Sequence, residues 1–164
     1  MLLTDIVGST RHAVTLGDAA WRDILERHNR MVERQVVSAG GRVVKNTGDG
    51  HLISFHNSRA AVDCARALFA IARSLGFEIR AGMHTGDVQV IGDDLAGLTV
   101  HIAARVCALA APGSMVGTAA VALRARAAGA VLEDHGLHEL RDLPGQFRLF
   151  QARAPRPEPA AATS

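Results

Sequence analysis

Arg42-Val43-Val44-Lys45-Asn46-Thr47-Gly48-Asp49-Gly50-His51-Leu52-Ile53-Ser54-Phe55 reads as two strands folded back on each other. The runs 42–47 and 51–55 are strand-like. The Gly48-Asp49-Gly50 between them supplies residues that tolerate positive φ, so a hairpin with Asp49 at its tip is expected. Helical patterns lie on both sides. Upstream, Trp21, Ile24, Leu25, Met31, Val32 and Val36 recur at helical spacing within 16–37, and Gly40-Gly41 ends that helix. Downstream, Ala61, Cys64, Ala65, Leu68 and Ile71 mark one face of a helix over Ser58 to Leu75. Farther out, 1–7 reads as a strand. Phe77 to His84 and Val88 to Ile91 read as a strand pair joined by Thr85-Gly86-Asp87, and 98–109 as a helix stopped at Ala111-Pro112-Gly113. Residues 115–117 and 148–152 are strand candidates, and 119–128 is a short helix. The rest of 118–138 has no clear period. Strands interleaved with helices in this order predict an α/β chain, an α+β sandwich with a mixed, largely antiparallel sheet.

At 164 residues, 48% hydrophobic and 21% charged, the chain is one soluble domain and not a disordered, collagen-like or coiled-coil sequence. The 18 Lys plus Arg against 16 Asp plus Glu leave a formal charge of +2, and aromatics are 4% with no Tyr. A nucleic-acid polymer is therefore a poor partner, since its binders cluster basic and stacking side chains. Cys64 and Cys107 sit in separate apolar stretches and read as buried free thiols. No apolar run approaches the roughly 18 residues of a membrane span, and no signal peptide is evident, so a cytoplasmic location is expected. Residues 1–152 are assigned to the domain, and the Pro/Ala-rich 153–164 to a disordered tail. The first strand starts without lead-in, as if cut from a longer protein.

Four segments carry chemistry. In Thr4-Asp5-Ile6-Val7-Gly8-Ser9-Thr10 a strand delivers a carboxylate and runs into a turn whose N–H groups suit phosphate oxygens, although Asp5 or Ser9 as a helix cap fits equally. Asp49 adds a second hard carboxylate, unless Gly-Asp-Gly is only a tight turn. The two acids together fit one or two Mg²⁺ ions, whose remaining ligands come from water and substrate phosphates. His101 and Arg105 stand at i and i+4 on one helix face, either functional or merely solvated. Arg80, alone among apolar neighbours, is either a ligand cation or a snorkelling edge residue.

The ordered set Thr-Asp-Ile-Val-Gly-Ser-Thr, Lys-x-x-Gly-Asp-Gly, Arg-x-Gly-x-His-x-Gly and Asp-x-x-Gly-x-x-Val-His-x-Ala-x-Arg resembles the catalytic domain of class III nucleotidyl cyclases, most closely the bacterial branch. The match spans about residues 3 to 152. The resemblance implies a ferredoxin-like, palm-type βαββαβ core. It further implies that Asp5, Asp49 and the Ile6 carbonyl hold two Mg²⁺ or Mn²⁺ ions per site, and that Val7, Gly8, Ser9 and Thr10 line the phosphates. Lys45 and Asp94 would read the purine, Arg105 would steady the transition-state phosphorus, Arg80 would contact the terminal phosphates, and Arg141 would be a further phosphate cation. His101 stands where many members have Asn and would hydrogen-bond towards the ribose; because His titrates near neutrality, a flat pH response is not assured.

Adenine offers an acceptor at N1 and a donor at N6, matching an ammonium and a carboxylate, whereas guanine reverses both. ATP is the expected substrate and cyclic AMP with pyrophosphate the expected products. A guanylate or relaxed-specificity cyclase is the near alternative. A catalytically silent nucleotide-binding domain and another two-metal palm enzyme, such as a diguanylate cyclase, are more distant ones. The family builds its sites between two domains, so a symmetric homodimer is implied.

Overall fold

The computed structural model describes residues 1–153, and the tail assigned to 153–164 lies, but for its first residue, outside them. The elements are β1 (Leu2–Ile6), α1 (Ser9–Leu16), α2 (Asp18–Ser38), β2 (Arg42–Asn46), β3 (Gly50–Ser54), α3 (Ser58–Ser74), β4 (Ile79–Met83), β5 (Gln89–Ile91), β6 (Asp94–Ala96), α4 (Leu98–Leu109), β7 (Ser114–Thr118), α5 (Ala119–Ala127), β8 (Glu133–Glu139) and β9 (Gln146–Arg153). Seven strands form one sheet in the order β2-β3-β1-β4-β7-β9-β8. Only β4 and β7 run parallel. The α+β class and the mainly antiparallel sheet are as expected.

Three details differ from the sequence reading. The expected helix over 16–37 is α2, but the short helix α1 that precedes it, set off by Gly17 at φ 83, was not anticipated. Residues 88–91 do not pair with 77–84: β5 pairs with β6 as a separate two-stranded arm, turned at Gly92 with φ 60. Strand β8 was not anticipated; it is a polar, exposed edge strand with no apolar alternation to betray it.

The period-2 alternation of the strands sorts the sheet into two faces. Leu2, Ile6, Ile53, Ile79, Ala81 and Met115 point to one face, where α2, α3 and α5 bury Val32, Val36, Leu68, Phe69 and Val121 against them. On the other face Ile102 and Val106 of α4 pack with Val116, Leu140 and Leu149. Helix α4 approaches the sheet at Gly82, where a Cβ would stand 2.2 Å from the Cys107 amide nitrogen and 2.4 Å from the Ala103 carbonyl oxygen, so only Gly fits. Cys64 and Cys107 are buried free thiols, pushed up by burial to about 11 and about 12.

Under α2 lie two buried imidazoles. His28 meets His51 at 5.5 Å and Phe77 at 5.0 Å between ring centroids. Neither His28 ring nitrogen, nor Nδ1 of His51, has a hydrogen-bond partner among the described residues. Burial holds both rings down at about 4, from an ordinary value of 6.5. A folded-state pKa below the unfolded one means that protons bind the unfolded chain preferentially between the two values. Stability is therefore full above pH about 6.5 and declines as pH falls towards about 4, by on the order of 2–3 kcal/mol for each ring. Urea midpoints measured from pH 7.5 to 4.5 should fall across this window, and His28→Leu should flatten the decline. An unchanged slope in that variant would rule His28 out as the source.

Candidate active site

The face that α4 only partly covers is where the chemistry-bearing residues gather. Asp5 pairs in register with Gly50 on one side and Arg80 on the other. Antiparallel partners point the same way, so Asp5 and Arg80 share this face. Lys45 opposes Leu52, whose neighbours His51 and Ile53 face the other layer, and a bulge at Val44 restores Lys45 to the side of Asp5.

The hairpin tip is pulled hard against β1. The Ile6 N–H donates to the Asp49 carbonyl at 2.8 Å, and the His51 N–H donates to Thr4 Oγ1 at 3.1 Å. A Cβ on Gly50 would lie 1.9 Å from the Thr4 carbonyl oxygen, so the close approach depends on glycine. Asn46 Oδ1 accepts from the Gly48 N–H at 2.8 Å and shapes the loop that presents Asp49. The Asp49 backbone is thus held beside the end of β1 that carries Asp5, although 44 positions separate the two in the sequence.

Arg80 donates through Nε to Asp5 Oδ2 at 2.7 Å, with Nη2 in ion-pair contact with the same oxygen at 2.7 Å, and through Nη1 to the Ala108 carbonyl at 3.2 Å. It is neither a lone edge cation nor free to reach outward, but fixes the Asp5 carboxylate against the end of α4. Beyond β1, Gly8 takes φ 70 and α1 begins at Ser9 and Thr10 with no side-chain cap, so neither Asp5 nor Ser9 serves as one. Arg11 was not singled out from the sequence; its guanidinium lies 3.3 Å from where a Cβ on Gly8 would stand, next to Val7 and the turn. A basic residue directly after Gly-Ser-Thr was the available signal.

Lys45 Nζ donates to Asp94 Oδ2 at 2.6 Å, joining β2 to the β5–β6 arm, while the Leu95 N–H donates to Asp94 Oδ1 at 2.7 Å. The Lys45 hydrogen bond, opposed by desolvation, holds the Asp94 carboxyl below its ordinary value. Two residues 49 apart are therefore assembled as an ammonium–carboxylate pair at the edge of the open face. On α4, exposed His101 and half-buried Arg105 line a pocket of about 240 Å³ together with Arg141 and Asp142. Arg105 Nη2 donates to Asp142 Oδ2 at 2.9 Å. Asp142, between β8 and β9, has no signal of its own in the sequence beyond its place next to Arg141. A larger pocket of about 430 Å³, lined by Arg42, Phe55, His56, Val88 and Arg124, opens at the opposite end of β1 and β3 from Asp5 and Asp49. It takes no part in this constellation.

The donor set suits a small hard cation. Among the described residues no cluster of three or more His, Cys, Asp or Glu side chains forms a closed cage. Mg²⁺ does not need one, since it takes one or two carboxylates and completes its shell from water and substrate phosphates. Asp5 and Asp49 are carboxylates of that kind.

No family model matches the chain. A protein of Rhizobium meliloti (strain 1021) named "Putative adenylate cyclase 3" is 36% identical over 123 residues, covering 70% of this chain but 21% of its own length. The chain thus spans about a fifth of that relative. Among solved structures, an adenylate/guanylate cyclase/hydrolase from Silicibacter pomeroyi is 27% identical with a TM-score of 0.77, over 94% of this chain and 95% of that one. The guanylate cyclase domain of RhGC from Catenaria anguillulae, solved in complex with GTP, has a TM-score of 0.83 at 18% identity, over 94% and 95% of the two chains. The last likeness bears on fold alone. No helix among the described residues is long and apolar enough to cross a membrane.

Proposed function

We propose that this chain, a class III nucleotidyl cyclase domain in fold and motif order, converts ATP to 3′,5′-cyclic AMP and pyrophosphate at sites shared between two copies of itself. The observation that carries this reading is the backbone hydrogen bond that holds the Asp49 turn against β1 next to Asp5, together with the Lys45–Asp94 pair. In the reaction the ribose 3′-oxygen attacks the α-phosphorus, the bond to the bridging oxygen breaks, and pyrophosphate leaves with that electron pair. Asp5, Asp49 and the Ile6 carbonyl would hold two Mg²⁺ or Mn²⁺ ions, which when bound supply positive charge to the 3′-hydroxyl and to the triphosphate.

The remaining steps belong to side chains. Arg80 orients Asp5 through its Nε hydrogen bond and the close ion pair at Nη2. Any direct contact of Arg80 with the terminal phosphates requires it to release the Ala108 carbonyl. The N–H groups at the start of α1 and the Gly8 turn receive phosphate oxygens. From the second copy, Lys45 donates to adenine N1 and Asp94 accepts from N6, Arg105 and Arg141 meet charge developing on the phosphates, and His101 donates towards the ribose. The 3′-hydroxyl proton passes to water, so no side chain is required as general base.

Purine choice rests on Lys45 and Asp94. Lys45→Glu with Asp94→Gly removes the ammonium and the carboxylate that match adenine and supplies an acceptor for the guanine N1–H. The ratio of GTP to ATP turnover should rise by about 10²-fold or more, because a hydrogen-bonding site closed over the base by a second copy discriminates by the groups the wrong base leaves unpaired. Product formation from each nucleotide with Mg²⁺ and with Mn²⁺ measures it. An unmoved ratio would remove these residues from base reading, and wild-type turnover of GTP alone would make the chain a guanylate cyclase. If neither nucleotide is cyclised, the reading as an enzyme is wrong.

A further inference from the structure

We infer that Asp142 is the positioning residue for Arg105, fixing one edge of its guanidinium so that the other edge is presented to a phosphate; this rests on the cyclase reading given above. The β8–β9 connection is a tight turn in which the Leu143 N–H donates to the Leu140 carbonyl at 3.1 Å. Asp142 occupies its third position with φ 65 and is the one non-glycine residue with positive φ among those described. Turns of this kind favour Gly or Asn there, and Asp is among the few other residues that tolerate the left-handed backbone, so the turn admits a carboxylate at this position.

The turn and the helix that bears Arg105 are locked together. Leu140 packs in one buried cluster with Ile102 and Val106 of α4, and Leu143 packs against the same cluster. Across that joint Arg105 Nε donates to the Arg141 carbonyl at 3.2 Å and Nη2 donates to Asp142 Oδ2 at 2.9 Å. Nε and Nη2 form one edge of the planar fork, and Nη1 has no partner among the described residues. One edge is anchored and the other is free, which is the arrangement a bidentate phosphate contact needs. Arg141 Nε also lies 3.3 Å from Asp142 Oδ2, so a single carboxylate lets two guanidinium groups share one pocket.

Stability does not explain the pair. The side chains of Arg105 and Asp142 are 36% and 70% exposed, and ion pairs this open contribute little to folding. Orientation is a different matter, since a displacement of about 1 Å at a catalytic group costs up to about 10²-fold in rate.

The test uses Asp142→Ala, Asp142→Asn, Arg105→Ala and the double variant Asp142→Ala/Arg105→Ala in the full chain, with two readouts. With ATP, Asp142→Ala should lower kcat by about 10- to 100-fold with KM within about threefold. Asp142→Asn, which tolerates the left-handed backbone and keeps an acceptor oxygen, should recover most of the loss. The double variant should be no slower than Arg105→Ala alone, because the two act as a unit. Independently of activity, the Arg105 Nε–H signal in ¹⁵N NMR, assigned by its loss in Arg105→Ala, should be shifted from the exposed arginines in the wild type and join them in Asp142→Ala. Undiminished kcat in Asp142→Ala, multiplying losses in the double variant, or an unmoved Nε–H signal would each overturn the inference. A wild type that cyclises neither ATP nor GTP would defeat the functional reading instead, and the NMR comparison alone would then decide whether Asp142 fixes Arg105.

Discussion

Asp5→Asn should lower cyclic nucleotide formation by about 10³-fold or more, while the thermal midpoint falls by only a few degrees. The two numbers have separate origins. Asn keeps the volume of Asp5 and an oxygen to accept from Arg80, so the sheet register with Gly50 and Arg80 survives. What is lost is a charge-assisted hydrogen bond in which the side chains are 35% and 27% exposed, worth about 1 kcal/mol after solvent screening. For a domain of this size that is about 2–4 °C. A 10³-fold drop in rate corresponds to about 4 kcal/mol of transition-state stabilisation, which such a change in folding cannot produce. The loss comes from the missing negative charge, without which a divalent cation has a single carboxylate to hold it. Asp49→Asn should reproduce the loss in activity with no change in midpoint, since the Asp49 side chain is exposed and makes no hydrogen bond among the described residues. Initial rates and melting curves on the same preparations separate the effects. Activity within tenfold of wild type in either variant would show that the two acids do not form the core of the site.

How far this site could be read beforehand depended on how local each signal was. The Gly48-Asp49-Gly50 hairpin, α3 and α4 were legible because turn chemistry and a 3.6-residue period act over a few neighbours. The short helix α1 was not, since Ser9–Leu16 buries no residue and so shows no apolar period. The β5–β6 arm was misassigned because Thr85-Gly86-Asp87 and Gly92-Asp93 are both turn signals, and nothing local says which one closes a hairpin. Strand β8 carries Glu133, Asp134, His135, Gly136 and His138, polar because it lies at an exposed edge. Asp5, Asp49, Lys45, Asp94, Arg80 and Arg105 were all named from motif order, yet their pairings are long-range: Lys45 with Asp94, Arg80 with Asp5, Arg105 with Asp142. Those partners are fixed by sheet register and by the seating of α4 on Gly82, which only the folded chain reveals.

Mixing Asp5→Ala chains with Arg105→Ala chains should restore activity that neither has alone, to about a quarter of the wild-type rate. If each site takes its metal carboxylates from one copy and its phosphate arginine from the other, a mixed dimer has one site with both defects and one with none. Random pairing makes half the dimers mixed, and half the sites in those are intact, which gives about one quarter for a two-fold symmetric pair. The restoration should follow second-order dependence on chain concentration at dilutions where the dimer dissociates, and it needs subunit exchange, achieved by co-expression or by refolding the mixed chains. Both substitutions are tolerable to the fold: Asp5 and Arg105 lie on the open face rather than in either apolar cluster. A site complete within one chain predicts the opposite, because every chain in the mixture then lacks either its carboxylate or its arginine. Mixtures as inactive as their components, with light scattering showing that dimers form, would place Asp5 and Arg105 in the same copy's site and end the shared-site account, whereas recovery near one quarter is difficult to obtain from any other arrangement.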